Sequence, residues 1–338
     1  MTASLSKICV IGAGAWGTAL AKHLAEKGME IRLWAYERDV VHAINTSHEN
    51  PIFLKGVSLP HRLIATTSLD EATRSCEGLV FAVPSHATRS VLRNLKPFLS
   101  DPIPLICATK GIEEETAKLM TQVMEDELPP PMHRALMVLS GPSFAAELSA
   151  GLPTAVCLAG QDTLLVQRFQ NALMTPVFRV YADSDLLGVQ LGGALKNVMA
   201  LAAGVIDGLE LGLNARAALI TRGLAEIIRL GVAMGADPRT FYGLSGVGDL
   251  ILTCTGTLSR NHSVGVRLGK GERLEAIVGG MQAVAEGVRT ARAAFTLALR
   301  HQVEMPIIQE INAVLHENKS CRKAVSDLME RDAKLEKG

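Results

Sequence analysis

The run Lys7-Ile8-Cys9-Val10-Ile11 meets Gly12-Ala13-Gly14-Ala15-Trp16-Gly17 and passes into an amphipathic stretch ending at Gly28, after which a second apolar run, Ile31 to Ala35, begins. Few folds accommodate that order. The β-branched residues specify a strand, the Gly-x-Gly-x-x-Gly pattern a tight turn, and the next segment a helix starting near Ala15. In such a unit Gly12 permits the turn, Gly14 lets backbone approach a pyrophosphate, and Gly17 lets the helix pack closely on the strand. The unpaired N–H groups and positive dipole end of the helix then face the phosphates. This is the pattern of a dinucleotide-binding unit; a glycine-rich structural turn is the alternative.

The first half continues in kind. Gly78 to Ser85 reads as a strand ending in a Pro-Ser turn, Ile103 to Thr109 as another ending at Lys110-Gly111, and Leu136 to Ser143 follows the same plan. Thr154 to Leu158 and Val177 to Tyr181 supply later strands. Near-continuous apolar strands separated by helix-length segments specify an α/β fold, a Rossmann-type, doubly wound and mostly parallel sheet covered on both faces. Ligands of such sheets bind beyond the carboxyl ends of the strands, so Pro84, Ser85, Lys110, Gly141 and Ser143 are expected to share one rim with the glycine loop. After about Asp183 strand signals almost vanish. Leu186 to Met234 is rich in Ala, Leu and Gly, with Gly192, Gly193, Ala200, Ala203 and Gly204 offering small faces for close helix contact. Helical periodicity returns around Ser263 to Leu268, Ala283 to Arg300, Ile307 to Leu315 and Lys323 to Glu330. The expected division is a dinucleotide-binding domain, 1–183, and an all-α substrate and catalytic domain, 184–338.

A chain of 338 residues suits two domains. Its formal net charge of zero argues against a broad nucleic-acid surface. No uninterrupted apolar run reaches the roughly 18 residues needed to cross a bilayer, and the apolar N-terminus lacks a basic leader. The expectation is a cytoplasmic protein that binds neither membrane nor nucleic acid. Cys9, Cys76, Cys107, Cys157, Cys254 and Cys321 are scattered without a Cys-x-x-Cys pair and read as free thiols. The nine histidines show no His-x-x-x-His or mixed Cys/His spacing, so no metal is expected.

Lys196 is conspicuous in an otherwise apolar, small-residue helical segment. It either snorkels to solvent or is buried, with its ammonium destabilised so that it exchanges a proton with a carbonyl or hydroxyl oxygen near neutral pH. Lys110, on the expected rim, is the second candidate. Asp249, in Gly246-Val247-Gly248-Asp249-Leu250, is delivered to a helix start, where an N-cap is its simplest role. Ser259-Arg260-Asn261 opens another helix; a helix N-terminus plus a guanidinium makes an anion site, while a solvent-facing arginine remains the competing reading. His86 is a lesser acid/base candidate with no assignable acidic partner.

The motifs at 12–18, 83–87 (Val-Pro-Ser-His-Ala), 108–113 (Ala-Thr-Lys-Gly-Ile-Glu) and 140–145 (Ser-Gly-Pro-Ser-Phe-Ala) resemble the cofactor half of the NAD(P)-dependent glycerol-3-phosphate dehydrogenase family. In the second half Ala-Leu-Lys-Asn-Val at 194–198, Gly-Asp-Leu-Ile-Leu-Thr-Cys-Thr at 248–255, Ser-Arg-Asn at 259–261 and Val-Ala-Glu-Gly at 284–287 match as well. The resemblance runs nearly end to end and is closest to the bacterial enzymes. It implies reduction of dihydroxyacetone phosphate to sn-glycerol 3-phosphate with NADPH or NADH, supply of glycerophospholipid synthesis, and a homodimer.

The resemblance further implies that Lys196 hands a proton to the developing alkoxide and that Lys110 contacts substrate and cofactor. Gly141, Ser143, Asp249, Ser259, Arg260 and Asn261 match substrate positions, with Arg260 also reaching the cofactor. Trp16, Ala145, Val284 and Glu286 match cofactor contacts, beside Gly12, Gly14, Ala15 and Gly17 of the glycine loop. One departure lies in Asn50 to Gly56, where Phe53-Leu54-Lys55 replaces the usual Tyr-Leu-Pro. At the end of the second strand stand Glu37, suited to the ribose hydroxyls of NAD, and Arg38, suited to the 2′-phosphate of NADP. Two lysines converging on one carbonyl raise each other's cost of ionisation, and their titration belongs to the pair. A dehydrogenase of hydroxy acids or keto acids would share the plan without needing the Ser-Arg-Asn clamp, and a non-catalytic nucleotide sensor would need neither Lys110 nor Lys196.

Overall fold

The structure, a computed structural model, describes residues 5–99, 102–281, 285–333 and 335–336. In chain order the strands are β1 (Lys7–Ile11), β2 (Glu30–Trp34), β3 (Glu49–Asn50), β4 (Leu54–Ser58), β5 (Leu63–Thr66), β6 (Leu79–Phe81), β7 (Leu105–Cys107), β8 (Leu136–Ser140), β9 (Thr154–Gly160) and β10 (Phe178–Asp183). β3 and β4 pair as a separate hairpin, and the other eight form one sheet in the order β10-β9-β8-β7-β6-β1-β2-β5. The chain leaves β1 toward β2 and β5, then returns to β6 on the other side. That reversal is the switch point at which a doubly wound sheet opens a crevice.

Alternation along the strands fills both faces. Ile8, Val10, Ile31, Leu33, Val80 and Ile106 join one buried cluster, while Cys9, Ile11, Leu79, Phe81, Leu105 and Cys107 join another on the opposite face. Each of the fully buried Val, Leu, Ile and Phe side chains contributes about 1.5–3 kcal/mol by leaving water. Burial also pushes the Cys107, Cys157 and Cys254 thiols up to about 12, and all six cysteines are free.

The parallel pattern breaks once. β8 and β9 pair antiparallel, with Leu139 opposite Leu158. Only the short helix Ala145–Ser149 and the Gly151 turn separate them, so the chain doubles back instead of crossing the sheet, as a parallel neighbour would require.

Beyond Asp183, Asp185 caps the helix Leu186–Gly208 by accepting the Gly188 N–H at 2.8 Å. Every residue of that helix from Gly188 to Ile206 is buried. Helices Gly212–Ala233, Asp249–Thr255, Arg260–Gly269 and Glu286–Arg300 pack around it, and it also touches β8. Its small residues make this possible: a Cβ at Gly204 would strike the His262 carbonyl, and one at Gly192 would lie 2.5 Å from the Ser245 carbonyl. The helix is long and apolar enough to cross a bilayer, yet it is enclosed by protein along the whole apolar stretch.

Candidate active site

The crevice beyond β1 and β6 is built first from the glycine loop. Gly12 adopts φ +109°, and a side chain there would lie 2.7 Å from the Ala82 carbonyl on the neighbouring strand's exit. Gly17 presses its bare Cα toward the Gly12 carbonyl, whereas no atom lies within 4 Å of where a Gly14 Cβ would stand. The helix Ala15–Glu26 begins at Gly14 without a side-chain cap, so its first N–H groups stay free for an anion. The Trp16 indole N–H is buried and unpartnered beside them.

Next along the rim, Lys110 lies past the end of β7, Gly141 follows β8, and Lys196 sits in the middle of the buried helix. Lys196 does not snorkel: it is buried, and its Nζ donates to Asp249 Oδ1. The Lys110 Nζ donates to Asp249 Oδ2 at 2.7 Å and to the Gly141 carbonyl at 3.0 Å. Asp249 is 0% exposed, and its carboxylate bridges two ammonium groups. A buried carboxylate is tolerable only with such partners; the Thr253 hydroxyl nearby donates to the Asp249 main-chain carbonyl at 2.6 Å. Asp249 is therefore not the N-cap of helix Asp249–Thr255, a place taken by Gly248. Burial pushes the Lys196 ammonium down to about 7; Asp249 opposes that shift and the charge of Lys110 adds to it. The result is a lysine that gains and loses a proton near neutrality, with Lys110 and the Asp249 carboxylate beside it.

Asn261 ties the second helix start to this group. Its amide donates to Asn197 Oδ1 at 2.9 Å and accepts the Gly287 N–H at 2.9 Å, and Asn197 follows Lys196 directly. Ser259 caps helix Arg260–Gly269 by accepting the His262 N–H at 3.2 Å. Arg260 is exposed and makes no side-chain hydrogen bond or ion pair among the described residues, with the Glu286 carboxylate within electrostatic reach. Glu286 accepts the Ser85 N–H at 3.1 Å and the Ser85 hydroxyl, joining the helical half to the exit of β6. Ser143 donates to the Gly141 carbonyl at 2.8 Å.

Residues 7–165 match the model of the NAD-dependent glycerol-3-phosphate dehydrogenase N-terminus, and residues 185–326 that of its C-terminus. The chain is 52% identical over 330 residues to a glycerol-3-phosphate dehydrogenase [NAD(P)+] of Citrifermentans bemidjiense, covering 98% of each chain. It is 53% identical over 327 residues to the same enzyme of Myxococcus xanthus, covering 97% of this chain and 98% of that one. The crystal structure of a glycerol-3-phosphate dehydrogenase from Coxiella burnetii superposes with a TM-score of 0.92 at 38% identity, covering 97% and 99%. The chain belongs to the NAD-dependent glycerol-3-phosphate dehydrogenase family. It is an NAD(P)-dependent oxidoreductase.

Two features fit the dehydrogenase's coenzyme: the backbone is open at Gly14, and the Trp16 donor has no partner in the protein. Arg38 and Tyr36 are exposed beyond the end of β2. Ala15 and Ala145 each open a helix at this rim. Val284 lies outside the described residues. His86 is exposed and has no hydrogen-bond partner among them, which leaves it without the orienting group an acid/base needs. Two residues went unassigned from sequence. Asn197 adjoined the conspicuous lysine but gave no independent signal, and Ser85, whose N–H and hydroxyl both reach Glu286, was placed on the rim without a partner.

Proposed function

We propose that this dehydrogenase reduces dihydroxyacetone phosphate to sn-glycerol 3-phosphate at the Lys110–Asp249–Lys196 group, with 1–183 serving as the coenzyme domain and 184–338 as the substrate domain. The bound coenzyme supplies the hydride. Lys196 donates its proton to the oxygen that becomes the alcohol, and Lys110, held by Gly141 and Asp249, orients that oxygen and stabilises its developing charge. Asp249 keeps both ammonium groups pointed at one place on the substrate wall. Arg260, at a helix N-terminus and free of protein partners, takes the phosphate, with Asn261, Ser259 and Ser143 shaping the same wall. Gly12, Gly14, Ala15, Trp16 and Gly17 hold the pyrophosphate, Arg38 the 2′-phosphate of NADPH, and Ala145, Val284 and Glu286 make further coenzyme contacts.

The convergence of two lysines on one buried carboxylate carries this reading. A sensor that only bound nucleotide would have no reason to bury a lysine whose ammonium burial disfavours. The unpartnered Arg260 favours a phosphorylated ketone over a plain keto acid. We further propose a homodimer working in the cytoplasm, whose reducing milieu suits six free thiols, and a product used as the backbone of glycerophospholipids. Coenzyme oxidation with a panel of ketones tests the substrate: dihydroxyacetone phosphate should far outpace dihydroxyacetone and 2-keto acids. Comparable rates on an unphosphorylated keto acid would refute it.

A further inference from the structure

We infer that Asn50 is a positioning residue for the coenzyme, acting through the glycine loop; this rests on the coenzyme reading of that loop. Asn50 ends the two-residue strand β3 and is 0% exposed. Its Nδ2 donates to the Ala13 carbonyl at 2.8 Å and to the Thr18 hydroxyl at 2.9 Å, while its Oδ1 accepts the Phe53 N–H at 3.1 Å. The Thr18 hydroxyl donates in turn to the same Ala13 carbonyl at 3.1 Å. Both lone pairs of that carbonyl oxygen are thus engaged inside the protein.

The Ala13 carbonyl shares its peptide plane with the Gly14 N–H. In a trans peptide the two point to opposite sides. Holding the oxygen inward therefore sends the Gly14 N–H outward, at the open start of helix Ala15–Glu26, and it has no acceptor among the described residues. A peptide turned the other way would set an oxygen against the pyrophosphate where a donor belongs, exchanging attraction for repulsion. Asn50 also ties down the hairpin. Its acceptance of the Phe53 N–H, with the Glu49 carboxylate accepting the Gly56 N–H at 2.8 Å, holds the turn in which Phe53 and Lys55 stand.

The test is NADPH affinity, measured by titration of the full-length protein, set against affinity for adenosine 2′-monophosphate, which lacks a pyrophosphate, measured by displacement. Loss of two donors to the loop should weaken NADPH binding by Asn50→Ala roughly tenfold or more, with adenosine 2′-monophosphate binding within about twofold of the parent. Asn50→Leu keeps the volume but cannot donate to Ala13, and it should weaken NADPH likewise, which keeps the test open if Asn50→Ala misfolds. At saturating NADPH the KM for the ketone should move little in either variant. Equal weakening of both nucleotides would show a merely structural role, and unchanged NADPH affinity would show no role; either overturns the inference. Gly14→Val serves as comparator: if it too binds NADPH normally, the coenzyme reading of the loop falls, whereas loss there with normal binding in the Asn50 variants sinks the Asn50 inference alone.

Discussion

Lys110, just past the end of a sheet strand, donates a 2.7 Å hydrogen bond to Asp249, the first residue of a helix in the other half of the chain. Because Asp249 also binds Lys196, the three-residue cluster exists only when the sheet and the helical half are assembled together. Neither lysine is placed by its own element alone.

The proposed role of Lys196 as proton donor sets an expected pH dependence of turnover. Burial brings its ammonium down to about 7, so the proton donor is present below that pH and lost above it. Ketone reduction, measured as kcat/KM, should fall as pH rises through about 7, and oxidation of glycerol 3-phosphate, which needs the neutral amine, should rise over the same range. Parallel profiles for the two directions would contradict the assignment.

Arg260→Ala should raise the KM for dihydroxyacetone phosphate by roughly 10- to 150-fold, the value of one charge-assisted bond. Assayed at saturating coenzyme, unphosphorylated dihydroxyacetone should be affected far less. Equal loss of kcat/KM on both ketones would remove Arg260 from the phosphate site.

Arg38, exposed at the start of helix Arg38–Ser47 beyond β2, is the proposed reader of the 2′-phosphate. Arg38→Ala should weaken NADPH more than NADH, and comparison of the two KM values decides it. An equal change in both would assign the 2′-phosphate to another residue.

Glu226 supplies a stability test remote from the site. It is buried in helix Gly212–Ala233 and caps helix Pro306–His316, accepting the Ile307 N–H at 2.8 Å and the Ile308 N–H at 3.3 Å. Burial raises its carboxyl to about 7, although those N–H groups pull downward. A folded value above the unfolded one means the contribution is full below the ordinary carboxylate range and lost as pH rises through about 7. The melting midpoint of the parent should therefore fall more between pH 5 and pH 8 than that of Glu226→Gln, by about 2 °C or more, with coenzyme KM unchanged.

Legibility in the sequence tracked how local each signal was. The glycine loop, its strand and its helix are specified within about twenty residues; Gly12 and Gly17 meet contacts that demand a bare Cα, while the space at Gly14 is open. β4, Leu-Lys-Gly-Val-Ser, has no apolar run, and β5 is four residues at the sheet edge, so neither announced itself. The direction of β9 depends on a return path, not on its own residues. Asp249 before a helix reads as a cap, because the lysines that claim its carboxylate lie 139 and 53 positions away. The Asn261–Asn197 pair is hidden for the same reason.

The central claim is that Lys196 carries the proton. Lys196→Met keeps the aliphatic length and removes the donor, and steady-state turnover alongside NADPH titration measures both halves of the claim. The account predicts a loss of turnover of about 10²- to 10⁴-fold with NADPH affinity retained. Turnover near the parent's, with the coenzyme bound normally, would contradict it.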